Sequence, residues 1–184
     1  QTLRERLEER WPTRPPNGRA FTVRRCNVSN MIFESLPTTP RSEELIDKAF
    51  SRAARTGRAK SGLEAQQSML TTASNILSDN LENVVTAWPD FSTVDPFYYE
   101  LADAIVDVDA VRQSLNEVTW ASRKTKEISD EYQPKVRKTD ADTARKFRKQ
   151  AFARMADVVE EIEADLLVLG EARDELKTLP DIDP

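Results

Sequence analysis

Thr139–Thr178 reads TDADTARKFRKQAFARMADVVEEIEADLLVLGEARDELKT, with no proline and a single glycine, Gly170. Apolar residues return every three or four positions: Ala144, Phe147, Ala151, Met155, Val158, Ile162, Leu166, Leu169, Ala172 and Leu176. That period is one face of a helix. Thr139 or Asp140 can cap its first turn, and Leu179-Pro180 ends it. At 1.5 Å per residue the stretch predicts a single rod roughly 60 Å long. Such a rod outspans a small domain, so shorter helices must lie along it. Its charge is divided. Arg145, Lys146, Arg148, Lys149 and Arg154 precede Met155, and Asp157, Glu160, Glu161, Glu163 and Asp165 follow it. A rod basic at one end and acidic at the other can meet a polyanion at one end only.

At 184 residues, with 39% hydrophobic and 32% charged, the chain suits one domain with a real core. Four glycines and long periodic stretches favour an all-α fold. The formal charge of −5 places any anion-binding surface locally rather than over the whole molecule. Histidine is absent and Cys26 is the only cysteine, which excludes an internal disulfide and a Cys/His zinc site. No stretch approaches eighteen uninterrupted apolar residues, and no apolar run follows the N-terminal arginines. With one thiol, these features predict a soluble chain of a reducing, cytoplasmic setting.

Residues 1–30 differ from the rest: seven arginines, no lysine, three prolines between Pro12 and Pro16, and no sustained period. They are assigned as an irregular extension, outside the natural start expected at Met31 or else a basic arm. The remainder carries 20 basic and 29 acidic residues, a charge of −9. Pro37 and Pro40 keep the chain extended up to Arg41. Ser42 is placed to cap a short helix that ends near Gly57, with Lys48, Arg52, Arg55 and Arg58 on its outer side. Ser61 opens a second helix that runs to Pro89. Asp95 can cap a short helix with Pro96 at its first position, ending near Val106, and Phe91, Phe97, Tyr98 and Tyr99 supply an aromatic cluster. A further helix from Asp109 to about Tyr132 breaks at Pro134, and the loop Gln133–Lys138 leads to the rod. The expectation is an antiparallel bundle of about five helices over residues 31–184, with one long C-terminal helix.

Candidate chemistry is sparse. Nucleophilic triads and di-iron bundles need histidine. Glu160, Glu161 and Glu163 read first as a solvated face and only second as cation ligands. Nothing near Gly18, Gly57, Gly62 or Gly170 resembles a phosphate-cradling loop. No catalytic, cofactor or metal residue is assigned. The basic segment between Arg123 and Arg154 is the better site. Within it Lys135, Arg137, Lys138, Arg145, Lys146, Arg148 and Lys149 are the RNA-binding candidates, on a loop and the helix after it. Arg145, Arg148 and Lys149 stand at i, i+3 and i+4 and are expected to share a face. The plain alternative is a solvated charged face. Trp88, Trp120, Phe147 and Phe152 read as core before stacking platforms, and Trp11 carries no argument.

Four stretches, IFESLPTTPRSEELIDKAFSRAAR from Ile32, DPFYYEL from Asp95, ARKFRKQAFARMA from Ala144 and LPDIDP from Leu179, together resemble the Nog family of nucleolar GTP-binding proteins, Obg-like GTPases. The resemblance covers Met31–Pro184. It implies an N-terminal helical domain that docks a GTPase onto the maturing large ribosomal subunit, with ribosomal RNA and assembly proteins as partners and the protein a monomer. It also implies that GTP and Mg²⁺ belong to a downstream domain, that the basic residues from Lys135 to Lys149 face RNA, and that the long helix is the lever to the GTPase. The truncation at Pro184 leaves no nucleotide-binding motif to carry over. The acidic body weakens a purely electrostatic docking. The competing reading is a helical protein–protein scaffold that binds no RNA.

Overall fold

A computed structural model describes residue 33 and residues 35–178. The extension 1–30 and the LPDIDP stretch lie outside these described residues. Among the described residues there are six helices and no strand. They are α1 Ser42–Arg58, α2 Gly62–Ala87, α3 Pro96–Asp103, α4 Val108–Arg137, α5 Ala141–Glu161 and α6 Glu163–Leu176.

Hydrogen bonds between α2 and α4 fix their direction. Gln133 Nε2 donates to the Gln67 carbonyl at 3.2 Å, Ser74 Oγ to the Thr125 carbonyl at 3.2 Å and Ser122 Oγ to the Ser78 carbonyl at 3.1 Å. Rising numbers on one helix meet falling numbers on the other, so the pair is antiparallel. Small buried residues, among them Ala73, Ser74, Ser78, Ala121 and Ser122, line this seam. They let the backbones approach; the Ser74 and Ser122 hydroxyls donate to carbonyls of the opposing helix, and the Ser78 hydroxyl to Asn75 of its own. Phe50 stacks on Phe152 at 4.5 Å, and Arg41 pairs with Glu163 at 2.8 Å, so α1 runs antiparallel to α5 and α6. The long helices form an up-down-up-down bundle, with α3 set in the α2–α4 connection. Leu70, Leu77, Leu81, Val118, Met155, Val159 and Leu169 are fully buried in its centre. Each is worth about 1.5–3 kcal/mol by transfer from water.

The expected count of five becomes six because the rod is interrupted. Ile162 leaves helical values, with φ −91° and ψ 11°, although its side chain is buried as its place in the apolar stripe requires. The interruption coincides with a long-range tie. Glu163, the first residue of α6, accepts the Ser42 backbone N–H at 2.8 Å and pairs with Arg41. Ser42 is therefore not the cap of α1: it is the first helical residue, with Arg41 at the cap position, and a carboxylate from the far end of the sequence satisfies its N–H.

Pro134 does not break α4. The helix continues to Arg137, forgoing one backbone donor, because Tyr132 and Val136 on either side are buried and Gln133 is tied to α2. The expected loop from Gln133 is the last turn of a helix. Capping by Asp95 with Pro96 at the first position holds, the Phe97 N–H donating at 2.9 Å. The helix stops at Asp103 rather than near Val106, and Asp107 caps α4. The expected aromatic cluster divides. Phe91 packs with Trp88 and Phe33, while Phe97 meets Tyr98 edge-on in the open.

Candidate nucleic-acid interface

One end of the bundle gathers the C-terminal turns of α1 and α4 and the N-terminal turns of α2 and α5. Residues 52–67 and 130–152 there hold eleven Arg and Lys against five Asp and Glu. Toward the other end, residues 79–120 and 157–175 hold seventeen Asp and Glu against Arg112 and Arg173. The polarity expected of one rod extends to the whole bundle.

The seven candidates do not play one role. Lys135, on the last turn of α4, pairs with Glu131 at 2.8 Å and lies 4.5 Å from the Tyr132 ring centre. Glu131 also holds Arg154 at 2.8 Å, and the two cations keep its carboxyl below the ordinary value, Lys135 contributing most. Lys135 and Arg154 thus share one carboxylate, and the trio keeps a single positive charge. Arg145 has a loose exposed partner, Asp142 at 3.8 Å, worth little in water. Arg137, Lys138, Lys146 and Lys149 are exposed and pair with no carboxylate among the described residues.

Arg148 departs from expectation. It does not stand on an open face with Arg145 and Lys149. Its side chain turns inward, Nε donating to Gln66 Oε1 at 2.8 Å, with the guanidinium 5.0 Å from the Phe152 ring centre. Burial, then the charge of Arg145, pushes its pKa down. The cause is helical phase: Ala144, Ala151, Phe152 and Met155 define the buried side of α5, and Arg148 lies along it. The open face carries Arg145, Lys146 and Lys149.

Sequence reasoning missed the contribution of α1. Arg55 and Arg58 are exposed on its last turns, and the antiparallel register set by Phe50 on Phe152 brings them to the end where α5 begins. Their charge was visible in the sequence; their position was not. Beside this end a polar hollow of about 700 Å³ opens between α2 and α4, its lining including Lys60, Gln67, Thr71, Gln133 and Arg137. The four aromatic residues divide as well. Trp88 and Phe152 are buried, Phe147 is half-buried against Tyr132, and Trp120 is exposed on the middle of α4. Asp140 caps α5, accepting from Thr143 and Asp142 N–H at 3.0 and 3.1 Å, and these donors, Thr143 foremost, lower its pKa to about 2. Of the acidic trio, Glu160 and Glu161 are exposed and Glu163 is occupied by Arg41 and Ser42. Among the described residues no group of three or more His, Cys, Asp or Glu is placed to hold a metal, and no helix is long and apolar enough to cross a membrane.

Residues 33–183 match the family described as the NOG1 N-terminal helical domain. An uncharacterised protein of Methanocaldococcus jannaschii is 27% identical over 158 residues, covering 80% of this chain and 45% of that protein. Nucleolar GTP-binding protein 1 of Drosophila melanogaster is 26% identical over 107 residues, 58% of this chain and 16% of the relative. The Caenorhabditis elegans protein of the same name is 23% identical over 163 residues, 83% of this chain and 24% of the relative. The chain spans less than half the length of these curated relatives. The name of the Drosophila and Caenorhabditis relatives, nucleolar GTP-binding protein 1, also corrects the cytoplasmic setting expected from the lone thiol, since it points to the nucleolus. A free cysteine reports a reducing compartment, and nuclear interiors are as reducing as cytosol. What is matched is a helical domain rather than the catalytic part of a GTPase, and the chain belongs to the family of NOG1 N-terminal helical domains.

Proposed function

We propose that this domain docks a GTP-binding ribosome-assembly factor on large-subunit ribosomal RNA, with the basic end of the bundle as the contact. The observation that carries the reading is the set of exposed, unneutralised cations at that end: Arg137, Lys138, Lys146 and Lys149, joined by Arg145, Arg55 and Arg58. Cations without carboxylate partners keep their counterions until a phosphate replaces them, and the release of those ions drives binding. They sit on helix ends with no exposed aromatic platform among the described residues there. That suits backbone and shape recognition of structured RNA rather than reading of bases. Nucleotide binding with Mg²⁺, hydrolysis and contacts with assembly proteins belong, on this reading, to the rest of the full-length protein and its surroundings. The domain acts as a monomer.

The test is charge reversal on the open face of α5. Arg145→Glu, Lys146→Glu and Lys149→Glu together should abolish binding to large-subunit ribosomal RNA while circular dichroism stays unchanged. Arg148 is left in place because it ties α5 to α2. Undiminished binding by the folded triple variant would remove this end from the contact.

A further inference from the structure

The DPFYYEL stretch has no part in the basic end, yet it is built with care. Asp95 caps α3, Pro96 occupies its first position, and the helix then buries one residue, Ala102. Phe97 is 51% exposed. Phe97 and Leu101 stand one turn apart on α3, and Ala104 and Ile105, the latter 39% exposed, lie in the turn that follows it and extend the stripe. Beside Ile105 a hollow of about 200 Å³ is lined by Val106, Ala110, Val168 and Ala172. From Asp95 to Asp109 the chain has five Asp and Glu and no Lys or Arg, and Glu171 and Glu175 flank the hollow from α6. Of these seven, only Asp109 has an ion-pair partner among the described residues, Arg112 at 3.9 Å.

We propose that this acid-rimmed apolar stripe, far from the basic end, is a docking site for a protein segment that is helical, apolar along one face and flanked by Lys or Arg. Charge complementarity selects the occupant: the carboxylates repel a polyanion and favour a basic segment. Phe97 and Leu101, about 6 Å apart at helical rise, match one turn of a partner helix, and Ile105 extends the contact past the end of α3. The hollow receives an aliphatic side chain, and Phe97 supplies the aromatic anchor common at such contacts. The domain then has two opposed faces, one for a polyanion and one for a basic protein.

The test uses the full chain and a fluorescent Leu/Lys peptide patterned at helical period, with a scrambled peptide of identical composition as control. The patterned peptide should bind at least tenfold more tightly than the scrambled one. Phe97→Ser with Ile105→Ser should remove that difference, and Glu171→Lys with Glu175→Lys should weaken the patterned peptide at low salt. Both pairs lie at the surface, so folding is retained and is checked by circular dichroism. Equal affinity for the two peptides, or binding unaffected by Phe97→Ser with Ile105→Ser, would overturn the proposal. So would sedimentation showing that the stripe pairs two copies of this chain.

Discussion

Replacing Glu163 by alanine tests how the two ends of the sequence are joined. Its carboxylate accepts the Ser42 N–H at 2.8 Å and pairs with Arg41 at 2.8 Å, so one change leaves the Ser42 N–H without its acceptor and Arg41 unpaired. Loss of a cap costs about 1 kcal/mol, within a range of about 0.5–2. The pair is partly exposed, its side chains at 57% and 30%, and adds at most about 1 kcal/mol. The expected cost is about 1–2 kcal/mol, a fall in Tm of roughly 2–8 °C for a domain of this size. Acid supplies an internal control. The pKa of Glu163 is depressed, chiefly by the Ser42 N–H, from an ordinary glutamate value of about 4.3. Its contribution is therefore complete above that ordinary value and lost as pH falls through the depressed one. Thermal melts of wild type and Glu163→Ala should differ at pH 7 and converge as the carboxyl protonates. Equal melting at pH 7, or a gap that persists after protonation, would refute the capping role.

Ile162→Asp should destabilise the bundle by several kcal/mol, because the side chain is buried and the new charge has no partner, and an unshifted melting curve would contradict that packing. Arg148→Ala should lower Tm by losing the Gln66 bond and the contact over Phe152, whereas Lys149→Ala should leave Tm unchanged and weaken RNA binding; equal behaviour would erase the division of roles. Pro134→Ala should raise stability by about 1 kcal/mol or more, since it restores a donor inside a continuous helix; a loss would indicate that the chain turns there. The Asp140 carboxyl should titrate at about 2 by NMR, and a midpoint near 4 would deny its cap on α5.

The periodic stretches were legible: Met155, Ile162, Leu166 and Leu169 are all buried as their spacing required. So were Asp95 with Pro96 and the Asp140 cap, because these act within a few residues of themselves. What escaped the sequence depends on partners distant in the chain. The break at Ile162 coincides with a tie to residues 121 positions away, and helical spacing carries no trace of it. Pro134 is a breaker by local rule, yet the packing of Tyr132 and Val136 overrides it. At the basic end charge was readable and direction was not. Arg148 and Lys149 are neighbours in sequence, but one turns toward Gln66 and the other toward solvent, a distinction set by the phase of α5 against α1 and α2.

The most direct test of RNA docking is the salt dependence of binding between the full chain and large-subunit ribosomal RNA. Phosphate contacts by Arg137, Lys138, Lys146 and Lys149 alone should give a log–log slope of about −3 to −4, and about −5 to −6 with Arg145, Arg55 and Arg58 engaged as well, at roughly −0.7 to −0.9 per contact. The slope should flatten when Lys146 and Lys149 are reversed to Glu. No saturable binding by the folded chain, or binding with no salt dependence, would contradict a phosphate contact at the basic end.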